Sequence, residues 1–363
     1  MTRVAILGAG AGGLSAAVEL TQAGFECILW NRGKPAINDI IRLGKIHYKG
    51  LLGEGEIKPS LATMDLKVAL KNADVVLVVL PTIAHSSIAK DLCESGWSGP
   101  TILNPGHTGG ALEFHAIFKR YHKLVPPLVE FSTLTYVARK LETNYVNITG
   151  KAKSVRAAAL PGGESALKIA QKLYPDINLV PDVLYSSLSN VNLVLHPPGA
   201  ILGASWVEAT SGNFTFYRDG LTEGVSKVMG QLDRERVKVA LKFGHEVPSL
   251  VEEMALIGTV EATDVRKSLR QAISSGKANA SIMAPNNLQH RYYVEDFGHG
   301  LLPFIELAKC AGIEVPTASA LLEMSRCLIG DQLIANGRNA ASLGISDLGP
   351  KEIFTIVRGK NDL

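Results

Sequence analysis

Cysteine is scarce in this chain. The four thiols, Cys27, Cys93, Cys310 and Cys327, form no C-x-x-C pair and no disulfide-like spacing. They read as buried or incidental thiols of a reducing compartment, and no metal site is expected from them. A surplus of one charge sign is missing too. The formal net charge is +3, and the basic residues are scattered rather than bunched, so neither nucleic acid nor an anionic membrane is an expected partner. No run approaches the roughly 20 uninterrupted apolar residues that a membrane span requires. The apolar N-terminus is interrupted by glycines and followed by helical patterning without a cleavage site, so a signal peptide is not expected and the chain reads as cytoplasmic. Internal repeats and low-complexity tracts are absent. In a cytosolic chain the N-x-S/T triplets at Asn147, Asn213 and Asn279 carry no meaning.

What is present divides into two grammars. With 363 residues, two domains are the default expectation. From Arg3 to about Val180, short β-branched runs alternate with helical segments: strands at Arg3–Leu7, Glu26–Trp30, 73–80 (ADVVLVVL) and Thr101–Leu103, and a small-residue helix over 11–23. That alternation predicts an α/β domain over 1–180 with a parallel, doubly wound sheet. Beyond Pro181, long helical patterns dominate, at 184–196, 221–243, 250–255, 264–275, 301–312 and 317–330. An all-helical second domain over 181–363 is expected, with ligands in the cleft between the two. Pro197-Pro198-Gly199 is expected to break or sharply kink the first long helix.

Gly8, Gly10 and Gly13 match G-x-G-x-x-G directly after a strand and at the mouth of a helix. Gly8 permits the tight turn, Gly10 lets the backbone approach a pyrophosphate, and Gly13 lets helix and strand pack closely. The helix N-terminus then offers unpaired N–H groups to the phosphates. A bound nicotinamide dinucleotide is the expectation. The acidic residue that usually takes the ribose hydroxyls at the end of the second strand is missing, and Trp30-Asn31-Arg32 stands there instead. Asn31 removes the repulsion that a carboxylate would exert on a 2′-phosphate, and Arg32 can pair with that phosphate, so NADP(H) is expected over NAD(H). Arg32 also reads as a solvated loop residue, in which case selectivity is slack.

Two loops lie where ligands of a doubly wound sheet bind, beyond the carboxyl ends of strands. One runs from Pro81 to His85; the other, Asn104-Pro105-Gly106-His107-Thr108-Gly109-Gly110, is rich enough in glycine to suggest close approach to a ligand. His107 reads equally as a substrate or cofactor contact and as an incidental histidine in a surface turn. Of the nine histidines, His196 lies four residues after Asn192, which puts both on one helical face. A second polar cluster, 291–296, sits on a stretch read as irregular after Pro285-Asn286-Asn287. Asp296 can orient the His196 ring and Arg291 can grip a substrate carboxylate; a satisfied core histidine is the other reading of His196. Spacing alone does not bring the two clusters together.

Several local patterns in this order resemble the opine dehydrogenase family (octopine/nopaline dehydrogenases), most of all its N-(1-D-carboxyethyl)-L-norvaline dehydrogenase type. They are 103–106 (LNPG) with 109–114 (GGALEF), 187–192 (SLSNVN) leading to His196-Pro197, and Arg291-Tyr292 with Glu295-Asp296 and 300–303 (GLLP). The resemblance implies a reductive condensation, in which an amino acid adds to a 2-oxo acid, usually pyruvate, and the imine is reduced by NAD(P)H. It also implies His196 as the catalytic histidine paired with Asp296, Asn192 as a substrate-side asparagine and Arg291 as the arginine near the carboxylate. The segment 203–220, with Trp206, Phe214, Phe216, Tyr217 and Arg218, lies by analogy near the amino-acid pocket, or else forms an exposed contact. The amino acid, the 2-oxo acid and the oligomeric state stay open, a homodimer among the assemblies. Rival readings are a ketopantoate- or glycerol-phosphate-type reductase, an imine reductase acting on preformed imines, and a non-enzymatic NADP-binding sensor.

Overall fold

The computed structural model describes residues 1–276 and 279–359. The chain divides into two compact units, one of residues 1–106 and 114–180, the other of 107–113 and 181–363. The segment His107–Glu113 thus clusters with the second unit although it lies within the first stretch of sequence.

In the first unit the chain runs β1 (Arg3–Leu7), α1 (Ala11–Gln22), β2 (Glu26–Trp30), α2 (Lys34–Leu43), β3 (Ile46–Gly50), β4 (Gly55–Ile57) and β5 (Leu61–Thr63). It continues through α3 (Leu66–Leu70), β6 (Val75–Val78), α4 (His85–Glu94), β7 (Thr101–Leu103), α5 (Gly110–Arg120) and β8 (Leu128–Phe131). Then follow β9 (Tyr136–Glu142), β10 (Tyr145–Lys151), β11 (Arg156–Ala159), α6 (Glu164–Leu173) and β12 (Asn178–Leu179). The main sheet has the order β12-β11-β8-β7-β6-β1-β2-β5. From β8 to β5 all pairs are parallel, with Val4 beside Val75 and Leu7 beside Trp30. The central strands are apolar on both faces because both are covered, and β1 from Val4 and all of β6 are wholly inaccessible to solvent. Two features go beyond a purely parallel sheet. β11 pairs antiparallel with β8, and a separate sheet of order β4-β3-β10-β9 lays its β9–β10 hairpin against α1.

The second unit carries α7 (Val183–Leu188), α8 (Asn192–Leu202), α9 (Ala204–Thr210), α10 (Glu223–Lys242), α11 (Leu250–Ile257) and α12 (Leu269–Ser275). Next come α13 (Arg291–Asp296), α14 (Leu302–Cys310), α15 (Pro316–Ile329), α16 (Asp331–Ala335), α17 (Ala340–Leu343) and α18 (Pro350–Arg358). α8 is the hub, packed by α10, α13, α15 and a single π-helical turn at Phe297–Leu301.

Three sequence expectations are corrected here. The pattern at 184–196 is two helices, α7 and α8, and the break falls at 189–191, where the Asn190 Oδ1 accepts the Asn192 N–H. Pro197 and Pro198 lie inside α8 instead of ending it; their neighbours Val194, Leu195 and Ala200 are buried, and packing of the hub helix outweighs the lost backbone donors. The stretch 291–296 is helical rather than irregular. His290 caps it by accepting the Tyr292 N–H at Nδ1, and it runs on through the π turn into α14.

Candidate active site

The dinucleotide turn is built as its glycines require. Gly8 has φ +125°, in the region that favours glycine, and a Cβ there would collide with the Val79 carbonyl oxygen. A Cβ on Gly13 would collide with the Gly8 carbonyl. Gly10, the residue before α1, faces open space, and α1 has neither a side-chain cap nor an acidic residue in its first turn. A helix N-terminus left uncapped, with a residue lacking a side chain before it, is a ready phosphate cradle. These residues fit a dinucleotide.

At the end of β2, the Asn31 Oδ1 accepts the Ala9 N–H at 3.1 Å and its Nδ2 donates to the Gly33 carbonyl at 3.0 Å, so Asn31 ties the turn to the loop after β2. The exposed Arg32 donates to Asp91 Oδ2 at 2.6 Å and to Ser87 Oγ at 3.2 Å, both on α4. Pro81 is exposed and precedes the short 3-10 turn between β6 and α4. Lys140, which carries no sequence motif, reaches this end of the sheet from β9. Its Nζ donates to the Ala9 carbonyl at 2.8 Å and to the Ala36 carbonyl at 2.7 Å.

In the second unit α8 and α13 bring together two residues 100 positions apart. His196 Nδ1 lies 2.7 Å from Asp296 Oδ2, with both side chains nearly inaccessible. A ring nitrogen that donates to a carboxylate leaves the other nitrogen as the acceptor, and His196 Nε2 receives the Tyr217 hydroxyl at 2.8 Å. Tyr292 stacks on the imidazole, ring centroids 3.8 Å apart at 18°, and Phe216 meets it edge-on. Burial, followed by the neighbouring Tyr292, raises the Tyr217 hydroxyl well above the usual phenol range, so it stays protonated.

Asn192 begins α8 one turn before His196 and is half-buried. Arg291 opens α13, is exposed, and has no hydrogen-bond partner among the described residues. His107 is buried and not on a surface turn; it holds φ +55°. Burial lowers its pKa, against the upward pull of Glu295 and Asp296. Its segment is fixed by the fully buried Arg338, which donates to Glu113 Oε2 and to the Thr108 carbonyl, both at 2.9 Å.

Sequence reasoning left Tyr217 without a role and did not single out Lys140. For Tyr217 a signal existed, since a hydroxyl in the aromatic run 214–217 needs a partner once buried. Lys140 gave none, because its role depends on a hairpin folding onto α1.

Residues 179–328 match the model for the α-helical domain of NAD/NADP octopine/nopaline dehydrogenases, and residues 3–104 match the N-terminus of NAD-dependent glycerol-3-phosphate dehydrogenases. An opine dehydrogenase of Arthrobacter sp. (strain 1C) is 32% identical over 348 residues, 95% of each chain. A vitopine synthase of Allorhizobium ampelinum is 24% identical over 99% of this chain and 100% of its own length. Among solved structures, octopine dehydrogenase with NADH and L-arginine superposes with a TM-score of 0.79 at 18% identity, covering 98% of both chains. A yersinopine dehydrogenase with NADP+ bound gives 0.72 at 14% identity, covering 95% of both.

Proposed function

Because the chain belongs to the opine dehydrogenase family, we infer its reaction in detail from the chemistry of the residues just described. It is an NAD(P)-dependent oxidoreductase acting on CH–NH bonds, which condenses the amino group of an amino acid with a 2-oxo acid and reduces the product. Pyruvate is the proposed 2-oxo acid, and NADPH the preferred cofactor. When bound, the cofactor supplies the hydride.

The observation that carries the catalytic reading is the contact of His196 with Asp296. An amino acid enters as an ammonium ion and must lose a proton before its nitrogen attacks the carbonyl. The carbinolamine must then gain one to expel water. A histidine whose Nδ1 is held by a carboxylate keeps its ring oriented and its Nε2 placed to do both. The Tyr217 hydroxyl already lies on that nitrogen, so it is the group that hands protons between His196 and the substrate. Arg291, exposed and within reach of the charges of Glu295 and Asp296 but without a hydrogen-bond partner among the described residues, pairs with the 2-oxo acid carboxylate in a fork, and Asn192 offers its amide on the face of α8 that carries His196. Buried His107 stays neutral near pH 7 and contacts substrate through hydrogen bonds. Gly8, Gly10 and Gly13 hold the pyrophosphate, Asn31 and Arg32 the adenosine ribose and its 2′-phosphate, and Pro81 borders the cofactor.

Absence of an acidic residue at the end of β2 supports NADPH, because Asn31 presents no charge to a phosphate. The test is NADPH oxidation with pyruvate alone, with amino acids alone and with both, followed by mass spectrometry of the product. Consumption that needs both, with a secondary-amine dicarboxylate formed, is expected. Full rate with a single carbonyl compound would instead establish a simple ketone reductase.

A further inference from the structure

Arg32 alone is a weak phosphate ligand, because its guanidinium is exposed and already neutralised by Asp91 at 2.6 Å. A different cation at the same end of the sheet is not neutralised. Lys140 is half-buried, and both of its hydrogen bonds go to backbone carbonyls, those of Ala9 and Ala36. Among the described residues no carboxylate is within ion-pairing distance of its ammonium. The nearest acidic influence, Asp39, acts only at longer range and is itself paired with Arg42 at 3.1 Å. Burial pulls the Lys140 pKa down, against the pull of Asp39. The fold therefore bears the cost of partly desolvating a positive charge without supplying a counter-charge. An ammonium has three donors, and two are used.

The position of this charge is specific. Ala9 lies inside the dinucleotide turn and its N–H is held by Asn31, the residue at the ribose position. Ala36 lies in the first turn of α2, directly after the Arg32 loop. β9 runs alongside α1 from Tyr136, whose hydroxyl donates to Glu19, to Lys140 beside Ala9. The ammonium thus joins the turn that takes the pyrophosphate to the segment that follows the ribose residue.

We propose that Lys140 reads the adenosine 2′-phosphate of NADP(H) together with the weaker Arg32, its third N–H and its unneutralised charge completing the site that Asn31 leaves open to an anion. This rests on the NADP(H) preference proposed above. The opposing role, a clamp that only locks the turn to α2, makes a different prediction. The test is titration of the wild-type protein, Lys140→Met and Lys140→Gln with NADPH, NADH and 2′,5′-ADP, together with melting curves.

Loss of one charge-assisted hydrogen bond to phosphate weakens binding about 10- to 100-fold. Both variants are expected to lose that much for NADPH and 2′,5′-ADP while NADH changes less than about threefold. The NADPH affinity of the variants should also fall less steeply with salt than that of wild type. An equal loss for NADH and NADPH identifies a clamp and overturns the proposal, as does unchanged NADPH binding. Glutamine can still donate to a carbonyl, so Lys140→Gln keeps the experiment decisive if Lys140→Met melts early. A wild-type protein that binds NADH as well as NADPH removes the cofactor preference itself. A wild-type preference for NADPH that survives in both variants removes Lys140 alone.

Discussion

His196 has both ring nitrogens engaged, one by Asp296 and one by Tyr217. A buried histidine pairs both nitrogens whether it packs or moves protons, so kinetics separates the two roles. His196→Ala is expected to lower turnover by about 10²-fold or more, as general acid–base groups contribute, while dinucleotide affinity stays at the wild-type value. Tyr217→Phe keeps the ring against Phe216 and removes only the hydroxyl. It should lower kcat, alter its pH profile and leave KM nearly unchanged. Steady-state kinetics across pH with a separate cofactor titration check both; unchanged turnover in His196→Ala would sink the assignment. At this scale the sequence was legible in residue type but not in pairing. His196 and Asp296 could be named, yet a separation of 100 positions hid their contact, and only the resemblance joined them. Tyr217 stayed without a role because the run 214–217 signals only that its hydroxyl needs a partner once buried, not that the partner is His196.

Secondary-structure elements were legible where their pattern is long or their chemistry strict. β1, β2 and β7 fall where their apolar runs place them, and α1 begins at the glycine turn. α13 was missed because six residues show too little of a 3.6-residue period, and the preceding Pro285-Asn286-Asn287 suggested a loop. β9 and β10 were hidden for another reason. They carry polar and apolar residues in a mixed, half-exposed pattern, since one face meets α1 and the other meets water. The glycine turn separates two effects within one element. Gly13→Ala places a methyl group against the Gly8 carbonyl, so it should lower Tm by several degrees as well as binding. Gly10→Ala meets nothing within the fold. It should therefore leave Tm near wild type and weaken NADPH about tenfold or more, by filling the space the pyrophosphate needs. Paired melts and titrations distinguish the two; an equal fall in Tm would refute the division of labour.

For the whole molecule, the two-part grammar of the sequence carried the fold class, but not the allocation of 107–113, which long-range partners decide. Arg338 makes its contacts to Thr108 and Glu113 across more than 200 residues, beyond the reach of any local pattern. The same burial of charge sets how stability responds to acid. His299, in the π turn, is buried, and its Nδ1 has no hydrogen-bond partner among the described residues. Burial, then the Arg338 charge, pushes its pKa from 6.5 down to about 3. A folded value below the unfolded one means that the unfolded chain takes the proton first, so stability falls as pH drops from 6.5 toward 3. Asp182 acts lower. It is wholly buried at the start of α7 and accepts from His245 and from Arg358 of α18, which joins the two ends of the helical stretch. Burial works to raise its pKa, but those hydrogen bonds and charges win and hold it below 3.8. Its contribution is complete above 3.8 and is lost as pH falls through the folded value. Melting curves from pH 7 to pH 3 should fall throughout. His299→Gln is expected to flatten the upper part of that fall, and Asp182→Asn to lower Tm at pH 7 while flattening only the part below about pH 4. A His299→Gln curve parallel to wild type would show that His299 protonates as readily in the folded chain as in the unfolded one.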